Sequence, residues 1–342
     1  MALAPRAGLT RDKLLEVDGL VMRYNTKKGQ VSAVEDVSFE LHNGEALGLV
    51  GESGCGKTSV ATALMRLQAT NADIVHGQIR LNGTDLLSLS DREMRATRWD
   101  DIAMVFQGAM NAWNPVYTVF RQIEEAMHAH TWERFTRSAA REKVAELFDL
   151  VGLPADVMDR YPHQFSGGMR QRAVIAMALS CDPQLIIADE PTTALDVIVQ
   201  DRILRRIEEI RAKLHMSMIY ISHDLAVIAE VTDWIGVMYA GKLVELGPSP
   251  RVFARPRHPY AWSLLTSTPS IHGERRSLVP LKGEPPDLLN PPPGCRFHPR
   301  CPLATDQCRM EEPPLRTVAG GQQVACWHWD QVPEPNTQET LA

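Results

Sequence analysis

Ala46-Leu47-Gly48-Leu49-Val50-Gly51-Glu52-Ser53-Gly54-Cys55-Gly56-Lys57-Thr58 decides the fold. Its first five residues are continuously apolar, as in a strand covered on both faces. Beyond the glycines, apolar residues return at helical spacing with Val60, Leu64 and Leu67. A buried strand, a glycine loop and a helix, in that order and ending Gly-Lys-Thr, form the context in which a phosphate-binding P-loop is credible. Glycines let successive backbone N–H groups turn towards phosphate oxygens, and the helix N-terminus adds its dipole. Lys57 is the candidate counter-charge for the β- and γ-phosphates, and Thr58 the candidate Mg²⁺ ligand. Gly51, Ser53, Gly54, Cys55, Gly56 and Ser59 complete the candidate cradle.

Working outward, Leu185-Ile186-Ile187-Ala188 reads as a second buried strand, ending in Asp189-Glu190. Taken alone, an acidic pair there is more often a helix cap. Behind a P-loop, Asp189 is expected to hold the metal and Glu190 to act as general base towards an attacking water. Ile102 to Phe106 and Met218 to Ile221 read as further strands, and Val197 to Leu214 as a helix between two of them. The mixed stretches Leu14 to Val17 and Val34 to Leu41 suggest an antiparallel lobe, and the region of about 108–180 a helical insertion. Strands alternating with helices imply an α/β fold, a P-loop NTPase built on a mainly parallel sheet.

The chain has 342 residues and a formal net charge of −6, a balance that argues against broad nucleic-acid binding. No stretch approaches the roughly 20 apolar residues that cross a bilayer, and Met1 to Lys13 has no signal-peptide core. A cytoplasmic chain that reaches a membrane only through partners is expected. After Gly247 the texture changes, and proline, glycine and charge dominate Ser270 to Pro293. The expected partition is therefore 1–250 for the nucleotide-binding domain, 251–293 for an extension, 294–330 for a cysteine-rich segment and 331–342 for a polar, frayed tail.

Phe165-Ser166-Gly167-Gly168-Met169-Arg170-Gln171-Arg172 precedes the acidic pair and resembles the signature of ABC ATPases. Other elements of that family follow in order: Gln107, Ala194-Leu195-Asp196, and His223 in Ile221-Ser222-His223-Asp224. The resemblance implies that Ser166, Gly167 and Gly168 contact the γ-phosphate held by an opposite subunit. It also implies that Gln107 links the metal site to a membrane partner, that Asp196 lies at the subunit interface, that His223 senses the γ-phosphate, and that Tyr24 stacks on adenine. Phe165, Met169, Gln164 and Trp113 depart from the commonest residues, and Phe165 and Met169 do so as the peptide-importer branch does. Phe106 to Pro115, Tyr161 to Arg172, His258-Pro259-Tyr260 and Pro285-Pro286-Asp287-Leu288 resemble the ATPase subunits of dipeptide and oligopeptide permeases, from about Leu14 to Trp327.

Cys295, Cys301, Cys308 and Cys326 are spaced C-x5-C-x6-C-x17-C, which matches neither the paired cysteines of common zinc modules nor a ferredoxin run. From the chemistry alone a metal cluster, zinc and unligated thiols all stay open, with His298 and His328 as substitute ligands. The resemblance implies a 4Fe-4S cluster on the four cysteines. It further implies ATP and Mg²⁺ as ligands, a second ABC ATPase as partner, two transmembrane permease subunits, an external solute-binding protein, and a peripheral place on the cytoplasmic face of the membrane. The implied work is ATP hydrolysis coupled to import of dipeptides or oligopeptides. Oligosaccharide or nickel import by the same motor, and a soluble ABC ATPase acting on DNA or ribosomes, are the alternatives.

Overall fold

The computed structural model describes residues 12–131, 136–192, 196–267, 281, 283–318 and 320–335. They form two compact units. One comprises the described residues of Leu15–Glu40, Ala46–Asp85 and Ile221–Ala342, the other those of Met1–Leu14, Leu41–Glu45 and Leu86–Tyr220.

The first unit contains the P-loop segment. Strands β1 (Lys13–Thr26) and β2 (Gly29–His42) supply the expected antiparallel lobe, completed by β4 (Ala72–Leu81) and β5 (Thr84–Asp85) in the order β2-β1-β4-β5. The register of β1 on β4 runs from Leu15 opposite Leu81 to Tyr24 opposite Ala72, with an irregularity between Asp18 and Val21. Strand β3 (Ala46–Val50), buried at every residue, lies parallel to β9 (Trp234–Tyr239), which turns back antiparallel into β10 (Lys242–Pro248). The turn uses Ala240 and Gly241, both at positive φ, which suits the twist of a tight hairpin. β12 (Gln323–Val324) pairs with β10, and β11 (Arg316–Thr317) with β12, so cysteine-segment residues extend this edge.

Helix α1 (Lys57–Leu64) follows the P-loop and ends sooner than its apolar spacing suggests. Leu67 is not a core position of the helix but is 42% exposed, because Arg66 turns to φ 47 and breaks the periodicity. α7 (Leu225–Val231), α8 (Ser249–Ala254), α9 (Pro259–Ser267) and α10 (Asp306–Met310) complete this unit.

In the second unit β6 (Ile102–Val105) and β7 (Leu185–Asp189) pair in parallel, Ile102 with Leu185 and Val105 with Ala188, and β8 (Ser217–Ser222) flanks β7. β6 stops at Val105, and Phe106 is 45% exposed where the sequence suggested a continuing buried strand. The helical insertion consists of α3 (Val119–Thr131), α4 (Arg137–Leu150) and α5 (Gly167–Ala178), preceded by α2 (Asp91–Asp100). α2 begins with a capping box: the Ser90 hydroxyl accepts from Glu93 N, and the Glu93 carboxylate accepts from Ser90 N at 2.8 Å. α6 runs Val197–Leu214, as its sequence pattern predicts. Lys143, on α4, is buried but donates to both oxygens of Asp182 at 2.8 Å.

Glu245, on β10, is fully buried and serves as an anchor. Its oxygens accept from Arg257 N (2.8 and 3.0 Å), His258 N (2.8 Å) and Gln322 Nε2 (3.1 Å). One carboxylate thereby ties the start of α9 and the loop before β12 to the sheet, satisfying donors that would otherwise be buried unpaired. Val332 is also buried, so the segment expected to be a polar tail begins with an anchored residue; its residues 336–342 lie outside the described residues.

Burial raises the Glu245 carboxyl from 4.5 to about 8, against the hydrogen bonds that favour its charged form. The native state then holds a proton that the unfolded chain has lost, so stability falls as pH climbs from 4.5 to about 8. Glu245→Gln removes the titration, and thermal unfolding measured across this interval should fall less steeply with pH in the variant than in the wild type.

Candidate functional site

In the first unit the P-loop is compressed between backbone groups. A Cβ on Gly51 would meet the Met238 carbonyl oxygen at 2.2 Å, and one on Gly56 the Ala33 carbonyl oxygen at 2.3 Å. Gly51 has φ 150° and Gly56 φ 106°, so both close approach and conformation require glycine. Gly241 N donates to Cys55 O at 2.9 Å, fixing the loop to the hairpin turn. Gly56 is the N-cap of α1, and no side chain caps this helix.

Lys57 is buried and turned into the loop. Its Nζ donates to Gly51 O at 2.7 Å and Glu52 O at 3.0 Å, and lies 3.6 Å from Cys55 Sγ. Burial pushes the Cys55 thiol up, with Lys57 opposing it. Thr58, Ser53 and Gly54 are exposed at the loop's outer side, while Ser59 is half-buried and exchanges a 3.3 Å hydrogen bond with the Tyr24 hydroxyl. Tyr24 is thus joined to the start of α1. His223, after β8, is exposed, and the neighbouring Asp224 N donates to Ser222 Oγ at 2.9 Å.

The second unit brings Gln107 and Glu190 together, with Gln107 Nε2 donating to Glu190 Oε2 at 2.8 Å. Asp189 ends β7 and is 1% exposed. Glu190 has φ 48°, a left-handed backbone uncommon for a residue with a side chain. Strain of this kind clusters where a structure must aim a side chain. Ser166 caps α5, accepting from Met169 N at 3.3 Å, so Gly167 and Gly168 open the helix. A Cβ on Gly168 would lie 2.9 Å from Val199 Cγ1, which accounts for glycine there. Asp196 caps α6 and accepts from Val199 N at 2.9 Å; Ala194 and Leu195 lie outside the described residues.

Cys295, Cys301, Cys308 and Cys326 lie within electrostatic reach of one another. Burial pushes the Cys295 thiol up to about 11 and those of Cys301 and Cys326 to about 12. Backbone groups of Phe297 and His298, Leu303 and His328 bond to the same three sulfurs and favour the thiolate. Among the described residues no group of three or more His, Cys, Asp or Glu side chains is arranged to hold a metal ion, so the geometry lends the expected four-cysteine cluster no support. Buried neutral thiols gain nothing by converging, because only a bound cation draws thiolates to one centre. Cys308 Sγ instead lies 3.5 Å from Thr305 Oγ1 and Cys326 Sγ accepts from His328 N at 3.4 Å. The two candidate substitute ligands are likewise engaged, His298 Nδ1 with Cys295 O and His328 Nε2 with Thr305 Oγ1.

One set of contacts escapes a sequence reading. Glu52, at a position where the P-loop spacing demands nothing, forms a two-bond ion pair with Arg300 (2.6 and 3.0 Å), and its N–H donates to Tyr260 Oη at 2.8 Å. No local signal could have joined residues so far apart.

Residues 34–193 match the family model described as ABC transporter, and residues 244–308 that of the oligopeptide/dipeptide transporter C-terminal region. The chain is 46% identical to the dipeptide transport ATP-binding protein DppD of Bacillus subtilis, over 94% of this chain and 96% of that one. It is 43% identical to the oligopeptide transport ATP-binding protein OppD of Salmonella typhimurium, over 95% and 96% of the two chains. A post-hydrolysis dimer of the ATP-binding cassette MJ0796, bound to ADP and Pi, superposes with a TM-score of 0.62 at 22% identity, covering 69% of this chain and 98% of that one. At that identity the likeness establishes the cassette fold.

Gly56→Ala should be far more damaging than Gly54→Ala. Both glycines have positive φ, but a Cβ on Gly54 meets nothing within 4 Å, so its substitution carries only the conformational penalty of about 1–2 kcal/mol. Gly56→Ala must also displace the Ala33 carbonyl. Chemical denaturation of the two variants checks the order.

Proposed function

The chain belongs to the ATP-binding subunits of ABC transporters of the dipeptide and oligopeptide type, and from that premise we propose that it drives uptake of peptides by hydrolysing ATP. The observation that carries the peptide reading is the match of residues 244–308 to the peptide-transporter C-terminal region, beside near full-length identity to peptide-transport ATPases. No helix of the described residues is long and apolar enough to cross a membrane, so translocation requires partners that do. The partners proposed are two permease subunits, a second ATPase that is a paralogue or a copy of this chain, and an external solute-binding protein. The place proposed is the inner face of the membrane.

In the proposed chemistry, the amides of Gly51 to Ser59 and the Lys57 ammonium bind the phosphates of ATP, and Tyr24 offers a ring to adenine. Lys57 leaves the carbonyl oxygens of Gly51 and Glu52 as it turns to the phosphates, an exchange of neutral acceptors for charged ones. Thr58, Asp189 and Gln107 are oxygen donors suited to Mg²⁺, which takes most of its shell from water and phosphate and needs few protein ligands. When bound, the ion neutralises charge developing on the phosphates. Glu190 orients and deprotonates the water that attacks in line, with Gln107 holding its carboxylate by the 2.8 Å bond until then. His223 steadies the γ-phosphate. Ser166, Gly167 and Gly168, with Asp196, serve the nucleotide of a partner ATPase, so two subunits close on two nucleotides and reopen after hydrolysis.

For the cysteine segment we infer a 4Fe-4S cluster on Cys295, Cys301, Cys308 and Cys326. What supports the reading is the donor set in kind, four cysteines gathered in one segment near enough to influence one another electrostatically. The proposed role is to fix a segment too small to hold itself. The functional partition proposed is the one expected at residues 250, 293 and 330.

Glu190→Gln should bind ATP as the wild type does and turn it over about 100-fold or more slowly, the lower range of general-base contributions. Rapid retained turnover in a single-turnover assay would remove Glu190 from this role. For the cluster, protein purified without oxygen should contain about four iron and four sulfide per chain, as four-cysteine ligation requires; stoichiometric zinc, or no metal, would refute the cluster and leave the ATPase.

A further inference from the structure

Arg300 and Glu52 lie 248 positions apart in sequence and meet through two parallel hydrogen bonds, Nη1 to Oε2 at 2.6 Å and Nη2 to Oε1 at 3.0 Å. The Arg300 side chain is 5% exposed and that of Glu52 27%, so water screens the pair only partly. Three different groups of Glu52 are engaged. Its carboxylate holds Arg300, its N–H donates to Tyr260 Oη, and its carbonyl accepts from Lys57 Nζ at 3.0 Å. The phosphate-binding lysine and the cysteine segment therefore grip the same P-loop residue from two sides.

Arg300 is itself held. It ends the turn His298–Arg300, donates its N–H to Phe297 O at 2.9 Å, and directly precedes Cys301. The Phe297 ring packs against Tyr239 at 5.1 Å, Tyr260 at 5.4 Å and His258 at 5.7 Å. Tyr239 and Tyr260 are 4.6 Å apart, and Tyr239 Oη lies 3.4 Å from Arg300 Nη1. The aromatic group thus supports both the arginine and the tyrosine that hold Glu52, and a shift of the turn moves both contacts together.

We propose that Arg300 is a positioning residue for the P-loop, through which the cysteine segment sets the affinity for ATP. The inference rests on the reading of residues 51–58 as the nucleotide-binding loop. Without Arg300 the Glu52 carboxylate loses its neutralising partner and adds an uncompensated negative charge to a loop that must receive phosphate. The loop also loses one of its supports.

The test is a double-mutant cycle on the full chain, reading fluorescent ATP-analogue binding, steady-state ATPase kinetics and thermal unfolding. Arg300→Ala should weaken nucleotide binding about tenfold, within the range of ordinary coupling free energies, and raise KM with saturating turnover changed less than twofold. Glu52→Gln should do less, and in its presence Arg300→Ala should add little, because one substitution has already removed what the other disturbs. Arg300→Lys, which keeps charge without the planar fork, should lie between wild type and Arg300→Ala and covers the case in which alanine prevents folding. Unchanged affinity in either folded arginine variant, or additive effects of the two substitutions, would overturn the proposal. Loss of melting temperature without a KM change would do the same, since it reports a merely structural contact. Failure of the wild-type chain to bind the analogue would strike the nucleotide-binding reading instead.

Discussion

The close approach of the glycine loop to its own scaffold is the constraint on which the first unit depends. Gly51 fits beneath the Met238 carbonyl and Gly56 beside that of Ala33, so the loop's path is set by backbone groups of β9 and of the antiparallel lobe. Backbone contacts do not adjust by rotamer change. The path of residues 51–58 therefore needs β3 in register with β9 and the lobe in place beside it. A P-loop is usually discussed as a motif, but in this chain the motif is a local consequence of a non-local fit.

Much of the architecture was legible because local chemistry and position agreed. The apolar run before the glycines and the acidic pair ending a buried strand each announce themselves within a few residues. α6 could be bounded from its sequence pattern, and the structure shows Asp196 capping its start and the left-handed His215 closing its end. Where the reading missed, the deciding partner was distant. β9 and β10 earned no place in the sequence because their pattern makes sense only once β3 and β12 flank them. Leu67 fits a helical stripe, yet the backbone at Arg66 ends the helix first. The gathering of the cysteines could be anticipated from spacing, but not whether their sulfurs converge, since that depends on what they bind.

The charges that matter most structurally are those a sequence presents as ordinary surface residues. Glu245 carries no sequence signal of burial, and it is the buried acceptor for three donors from two later segments. Lys143, amid a helix rich in charge, is buried against Asp182. Arg300 sits in a proline- and histidine-rich turn and ends beneath the P-loop. Lys143 and Arg300 are tolerable there because a carboxylate is supplied, for a buried charge without a partner would be strongly destabilising, whereas Glu245 is held neutral by its burial up to about pH 8. Such pairs fix how distant segments meet more than they add to stability.

The wide separation of Glu52 from Arg300 also bears on the chain's birth on the ribosome. At about 5–20 residues per second, the 248 positions between them take roughly 12–50 s to synthesise. Throughout that interval the nascent P-loop lacks its second clasp, and until residues 234–239 emerge β3 has no parallel neighbour at β9. Five consecutive apolar residues, Ala46 to Val50, must therefore wait without that neighbour. The same long-range fit that shapes the finished loop leaves its supporting strand in need of shelter while the polypeptide is being made.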